Sequence, residues 1–343
     1  MSPIHLTRRQ FTAAVGTSIS AFALAPSLLA STRRRDTFFE WKQLRPGVHA
    51  AFGQGGNAGL IQTDAGALLI DAKNAPYGTT LRREADAMGR PVSLLINTHH
   101  HADHTGGNHA FLLHDDAVGV MMHPKAKPRI EKQFERYVAQ MKRARDQIDD
   151  LGEDVPEAAR EEIKAAAERA DELEPVDFAA KAPLPATMFD GKDVHLGDLV
   201  FSMTHVGPGH TDNDIYVFVA EHNLLHTGDL LFHKNHPFMD TAAGATSAGW
   251  ITSCRAMLGV CDEQTIVIPG HGEITDADGI RQQIRYFEVV REAAAGALAD
   301  GLERDRFVQS DLPVFEGYGF TRIKERTLGT IYDEMAEQRE GGR

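Results

Sequence analysis

From Trp41 onward the chain alternates short apolar runs with glycines and polar turns. Gly59-Leu60-Ile61 and Ala67-Leu68-Leu69-Ile70-Asp71, joined by Thr63-Asp64-Ala65-Gly66, predict a hairpin of two buried strands, because apolar runs bounded by turn formers suit a sheet interior. Thr79–Met88 has helical periodicity, Val92–Asn97 is a further apolar strand, and Ala117–Met122 is strand-like. The alternation resumes at Val194, with strands over Leu199–Thr204, Ile215–Ala220, Asn223–Thr227 and Thr265–Ile268 and a helix near Ser247–Leu258. Strands interleaved with helices predict a layered α/β fold.

One segment breaks this rhythm. Lys125 to about Leu173 is charged, poor in glycine and helix-periodic, with Ile130, Phe134, Val138, Met141 and Ile148 on one stripe and Ile163, Ala166, Ala170 and Leu173 on another. Leu151-Gly152-Glu153-Asp154 separates the two, and Asp154 with Glu157 offers a capping box for the second helix. Both stripes must pack on something. The hairpin is therefore a cover over a site mouth, a contact for a homo-oligomer, or a solvated surface element. Boundaries follow: 1–30 as a leader, 38–295 as the main domain with the helical insertion over 125–185, and 296–343 as a C-terminal extension.

The leader reads as an export signal. Thr7-Arg8-Arg9-Gln10-Phe11 is a twin-arginine sequence followed by the weakly apolar run Ala13–Ala30, without an acidic residue in the first thirty positions. Gly16, Ser18, Ser20 and Pro26 make that run a poor membrane span, so the expectation is a periplasmic or exported protein with no stable membrane insertion afterwards. Cys254 and Cys261 stand seven residues apart in a helix and its end, roughly 10 Å by helical rise, and read as packed thiols rather than a disulfide. A net charge of −13 argues against a nucleic-acid partner, which needs a Lys/Arg surplus, and leaves a small-molecule substrate as the expected partner.

The candidate chemistry sits at strand ends. Asn97-Thr98-His99-His100-His101-Ala102-Asp103-His104-Thr105-Gly106-Gly107 follows the strand Val92–Asn97 directly. On an extended loop alternate residues project together, so His99 and His101 can grip one metal while Asp103 points with them and His104 turns toward a second. Imidazole nitrogen and carboxylate oxygen suit zinc. Gly207-Pro208-Gly209-His210-Thr211, His226-Thr227-Gly228-Asp229-Leu230 and Ile268-Pro269-Gly270-His271-Gly272 each put one further ligand type in a glycine-rich turn after an apolar run. His100, His109, His114, His123, His205, His222 and His226 are read as structural.

With these motifs the chain resembles the metallo-β-lactamase superfamily, from the Gly59–Asp71 hairpin through Gly272, the helical hairpin being an insertion. The resemblance implies a four-layer αβ/βα sandwich with two metals at one edge: His99, His101 and His210 on the first, Asp103, His104 and His271 on the second, and Asp229 bridging. Zinc is the family's usual occupant, with iron and manganese in some branches. It implies a hydrolase in which a bridging hydroxide, formed by lowering the pKa of a shared water, attacks a carbonyl-type substrate such as an ester, lactone, thioester or amide. Asp103 would orient the water and move its proton. Asp71, Thr98 and Thr211 either fix imidazole orientation or simply cap strand ends.

Asp229 stands where some β-lactamases of the superfamily carry cysteine or serine, which makes a dedicated β-lactamase the alternative rather than the first reading. A non-hydrolytic redox protein on this fold is the second alternative, although His101 in place of an acidic residue argues against the flavodiiron branch. Gly228–Phe232, His236–Asp240 and Gly249-Trp250-Ile251 resemble exported members described as metallo-hydrolases. On that resemblance His233, His236 and Phe238 line the pocket and His236 donates to a developing oxyanion, or His236 is a plain loop histidine.

Overall fold

The computed structural model describes residues 36–113, 118–179 and 192–341, so the twin-arginine leader and His114 lie outside the described residues. Six strands form one sheet in chain order: β1 (Glu40–Arg45), β2 (Val48–Phe52), β3 (Ala58–Gln62), β4 (Ala67–Ile70), β5 (Val92–Ile96) and β6 (Gly119–Met121). The first four run antiparallel, then β5 lies parallel to β4 and β6 parallel to β5. Five strands form the second sheet in the order β11-β10-β9-β8-β7: β7 (Lys192–Leu196), β8 (Leu199–Thr204), β9 (Tyr216–Val219), β10 (Leu224–His226) and β11 (Ile266–Ile268). Only β10 and β11 pair in parallel there.

Side-chain alternation builds the layers. In β4, Leu68 and Ile70 face the other sheet while Ala67 and Leu69 face helices, as the period of two requires. Val48, Ala50, Ile61 and Ile96 join Leu68 and Ile70 from one side, and Leu199, Phe201, Met203, Val217, Leu224 and Ile268 meet them from the other. The outer face of the first sheet is covered by α1 (Gly78–Asp86), α2 (Ala102–Thr105), α3 (His109–Leu112), α4 (Ala126–Lys132), α5 (Phe134–Asp146) and α6 (Glu157–Glu168). The second is covered by α7 (Ser247–Leu258), α8 (Ala277–Ala299), α9 (Arg304–Phe307) and α10 (Thr321–Gly341). Helix, sheet, sheet, helix is the four-layer αβ/βα arrangement.

The helical insertion is α4 to α6. Its stripe, including Ile130, Tyr137, Met141, Ile148 and Ile163, shares one core with Leu81 and Phe111, so these side chains are covered within the chain itself. Proline is accepted in α4 because Pro128 sits in the first turn, where its missing N–H would have no helical partner. The capping box expected at Asp154 is not used: α6 begins at Glu157 with Pro156 at the N-cap, whose extended ψ of 137 turns the chain into the helix. The boundary drawn at residue 295 falls inside α8, which runs on to Ala299, and α10 packs against α8 through Leu328 and Ile331. Both cysteines are free, Cys254 buried on α7. No helix among the described residues is long and apolar enough to cross a membrane.

Candidate metal centre

The loops that follow β5, β8, β10 and β11 converge. Asn57 ties the two sheets together here: its N–H donates to the Gly270 carbonyl at 2.7 Å and its Nδ2 to Pro269 and Gly272 carbonyls at 2.9 and 2.8 Å. The Ile215 N–H donates to the Thr98 carbonyl at 2.7 Å, fixing the second sheet to the histidine-rich loop. Close approach is possible because glycines stand at the crossing points. A Cβ on Gly270 would lie 2.1 Å from Asp229 Oδ1, and one on Gly56 would lie 2.1 Å from His104 Cε1.

The result is two facing groups. His99, His101, His210 and Asp229 offer ligand atoms within 4.8 Å of one another, and so do Asp103, His104 and His271. In the first, His101 Nδ1 stands 2.9 Å from His210 Nε2, and Asp229 Oδ2 lies 3.3 Å from His210 Nε2 and 3.7 Å from His99 Nε2. In the second, Asp103 Oδ2 lies 3.3 Å from His271 Nε2 and 3.7 Å from His104 Nε2. The other oxygen of Asp229, Oδ1, faces this second group, 3.0 Å from His104 Nε2 and 3.4 Å from His271 Nε2. One carboxylate thus presents one oxygen to each triad.

These separations suit a cation at each centre. Ligands held tetrahedrally about zinc at about 2.0–2.1 Å stand roughly 3.3 Å from one another, close to the spacings here. His99 Nε2, His104 Nε2 and Asp229 Oδ1 are buried with no hydrogen-bond partner, an arrangement that costs stability unless something binds them. Every one of those atoms points into the cluster.

Behind the cluster four imidazoles are held by their far nitrogens. His104 Nδ1 donates to Asp71 Oδ2 at 2.7 Å, and Asp71 also accepts from the Thr98 N–H and hydroxyl, both at 2.8 Å. His99 Nδ1 meets the Thr98 hydroxyl at 3.1 Å, and His210 Nδ1 donates to the Phe238 carbonyl at 2.7 Å. His101 Nε2 reaches Asp240 Oδ2 at 3.0 Å. With the far nitrogen as donor, the near nitrogen keeps its lone pair for a cation. Thr211 does not serve an imidazole; its hydroxyl and N–H donate to Asp214 and shape the His210 loop.

The charge balance follows from burial against mutual attraction. Burial opposes charge on His104 and His271, yet Asp229 and Asp103 overcome it, holding His104 well above the ordinary imidazole value and raising His271 to about 9. Burial would likewise raise Asp229, but His271, His104 and His99 hold it well below the usual carboxylate range. His210, buried and next to His101, is lowered to about 3. His99, also lowered by burial, and His210 are thus neutral and ready to bind, whereas His104 and His271 keep protons that a dication must displace.

A cleft of about 740 Å³ opens beside the cluster, lined by His100, His101, Asp103, Asp229, Asp240 and His271. Seven residues singled out from sequence, His99, His101, Asp103, His104, His210, Asp229 and His271, are brought together. Their loop is not wholly extended, however: Asp103 and His104 lie on the single turn α2, and Asp103 joins His104 and His271 instead of pointing with His99 and His101 as an extended loop would have it. His236 is not with them. It is buried away from the cleft, its Nδ1 bonded to the Tyr286 hydroxyl at 2.8 Å and its ring against Phe315, so the pocket and oxyanion role expected for it has no geometric basis. His233 rests on the Glu273 carbonyl, while Phe238 does line the cleft. Missed from sequence were Asp240 and His100, which lie at the cleft and pair there at 3.6 Å. Nothing in the spacing of Asp240 marks it; only folding carries it to His101.

Comparison with known proteins agrees. The profile of the metallo-β-lactamase superfamily matches residues 51–271. A 100-residue stretch is 32% identical to an uncharacterised protein of Mycobacterium leprae, covering 29% of this chain and 45% of that one. An 84-residue stretch is 27% identical to the metallo-β-lactamase type 2 of Bacillus cereus, covering 24% and 33%. The chain thus spans less than half the length of these relatives. Among solved structures, the stereoselective inverting sec-alkylsulfatase Pisa1 from Pseudomonas sp. superposes with TM-score 0.60 at 15% identity, over 86% of this chain and 50% of that one. A metallo-β-lactamase from Pontibacter korlensis gives 0.50 at 16% identity, over 73% and 99%. The layers, the two facing triads and the profile match together make this chain a member of the metallo-β-lactamase superfamily.

Proposed function

We propose that the chain is an exported hydrolase that holds two zinc ions, His99, His101 and His210 on one and Asp103, His104 and His271 on the other, with Asp229 between them, and cleaves a carbonyl-type bond. The observation that carries this reading is Asp229, whose two oxygens face different triads at 3.0 to 3.7 Å. Bound there, two dications supply Lewis acidity and a water made nucleophilic near neutral pH.

The chain's own residues do the rest. Asp103 lines the cleft and engages His271 and His104 through Oδ2, which leaves Oδ1 to take a proton from an attacking water. Asp240 lines the cleft while holding His101 by its far nitrogen. Phe232 stacks on the His271 ring at 4.9 Å and keeps water from one side of it. Export is supported by Thr7-Arg8-Arg9-Gln10-Phe11 and the apolar run behind it.

Metal analysis of purified protein with a hydrolysis screen of esters, lactones, thioesters, amides and β-lactams tests the reading. Close to two zinc ions per chain, activity abolished by a chelator and restored by zinc, is the expected result. A zinc-supplemented protein with one metal or none contradicts it.

A further inference from the structure

The walls of the cleft beside the triads are unlike. Arg129, Lys132 and Arg136 of α4 and α5 line one part, and Phe232, Phe238, Phe320 and Ile323 line another. Arg129 is already neutralised, its Nη2 donating to Asp212 at 2.8 Å. Lys132 and Arg136 are exposed and have no carboxylate partner among the described residues. The carboxylates of the cleft, Asp103, Asp229 and Asp240, are taken by histidines instead.

This basic row is fixed to the histidine-rich loop. Between the two cations Gln133 donates from Nε2 to the His100 carbonyl at 2.9 Å, and one residue past Arg136 the Tyr137 hydroxyl meets the Thr105 hydroxyl at 2.8 Å. Tyr137 is fully buried and stacks on Phe178 at 4.5 Å. The insertion, which sequence left open as a cover, an oligomer contact or a solvated element, therefore lines one wall of the cleft.

The opposite wall carries its own anomaly. Phe320 is 46% exposed, the most exposed large apolar side chain among the described residues, and its φ is 55, a region costly for a residue with a Cβ. Neighbouring Gly319 is held there by its N–H to the Lys234 carbonyl at 2.8 Å and by the His236 N–H donating to its own carbonyl at 3.1 Å. The fold thus holds an uncovered aromatic ring 5.3 Å from His271. Two cations without a carboxylate partner on one wall, and on another the exposed Phe320 ring beside half-buried Ile323 and a Phe238 ring on which Arg326 lies at 4.4 Å, are the complement of an amphipathic anion.

We propose that the cleft takes substrates with an oxyanion at one end, docked on Lys132 and Arg136, and an apolar body lying along Phe238, Phe320 and Ile323. This rests on the triads being the reaction centre, but binding of such a molecule is measured without turnover, so the two readings fail separately.

The test is calorimetric titration of zinc-loaded protein with octane-1-sulfonate, 1-octanol and octyltrimethylammonium, with metal content determined for every sample. The sulfonate should bind about tenfold more tightly than the alcohol or the ammonium, since exposed charge pairs contribute modestly, and its affinity should fall as salt is raised. Lys132→Gln with Arg136→Gln should remove that advantage while leaving octanol binding as it was, and Phe320→Ala should weaken both. Both cations are exposed, so the double variant should keep its fold, and the salt dependence of the unaltered protein checks the same point independently. Equal affinities for the three probes, or sulfonate binding unchanged in the double variant, overturns the proposal. A protein that binds the sulfonate as expected but holds no metal pair would retain this inference and refute the hydrolase.

Discussion

Replacing Asp71 by Asn probes how the second triad is held without touching a ligand. Asp71 is fully buried at φ 65 and accepts three hydrogen bonds, from the Thr98 N–H, the Thr98 hydroxyl and His104 Nδ1. Asparagine has the same shape and tolerates that backbone region, so the main chain need not move. If its oxygen keeps the Thr98 N–H, its amide nitrogen stands where Oδ2 was and confronts the Nδ1–H of His104. The ring then has to carry its proton on Nε2, the atom that faces Asp229 at 3.0 Å. A buried hydrogen bond to a charged group is worth about 1.5–3 kcal/mol, which corresponds to a loss of about 10- to 100-fold in affinity at the His104 site. Competition for zinc against a chromophoric chelator measures this: the variant should fill one site as the parent does and the other much more weakly. Two sites of unchanged affinity would refute the argument that Asp71 sets the His104 tautomer.

Other perturbations read other parts of the centre. Gly56→Ala places a Cβ 2.1 Å from His104 Cε1 and should cost about 1–3 kcal/mol in a urea melt along with weaker zinc binding; a wild-type melt would show that the loop gives way freely. Asp229→Asn leaves one neutral oxygen to serve both triads and should drop bound zinc by at least one ion per chain in metal analysis, with two ions retained excluding a bridging role. In the metal-free chain the protonated His271 ring contributes stability fully below pH 6.5, its ordinary value, and that contribution is lost as pH rises through about 9. Chelator-treated protein should therefore show a urea midpoint that falls across that interval, and His271→Ala should flatten it; an equal fall in both would place its origin elsewhere. Zinc affinity should move the opposite way, rising with pH as the competing proton leaves.

The reach of sequence differs from one element to another for physical reasons. β3 and β4 are buried on both faces and so appear as apolar runs, and β5 departs from this only at the exposed Ser93 and half-buried Leu94. β1, with the mostly polar Glu40–Arg45, and β7, with Lys192–Leu196, are edge strands that lack such a run. The residues that cluster here could be singled out because metal-binding chemistry restricts candidates to imidazoles and carboxylates, here at strand ends and mostly in glycine-rich turns. Asp240 could not, because its partnership with His101 spans 139 residues and no local pattern announces it. His236 misled for the converse reason: closeness to Asp229 in the chain says nothing about direction, and its ring turns to Tyr286. Lys132 and Arg136 have the appearance of a solvated helix face, and only the docking of Gln133 and Tyr137 shows which way that face looks.

Anomalous scattering at the zinc absorption edge from crystals of the metal-loaded protein would locate the ions. Two peaks roughly 3.5–4 Å apart are expected, one within bonding distance of His99, His101 and His210, the other of Asp103, His104 and His271, with Asp229 between them. A single peak, or strong peaks remote from Asp229, would contradict a metal pair bridged by Asp229.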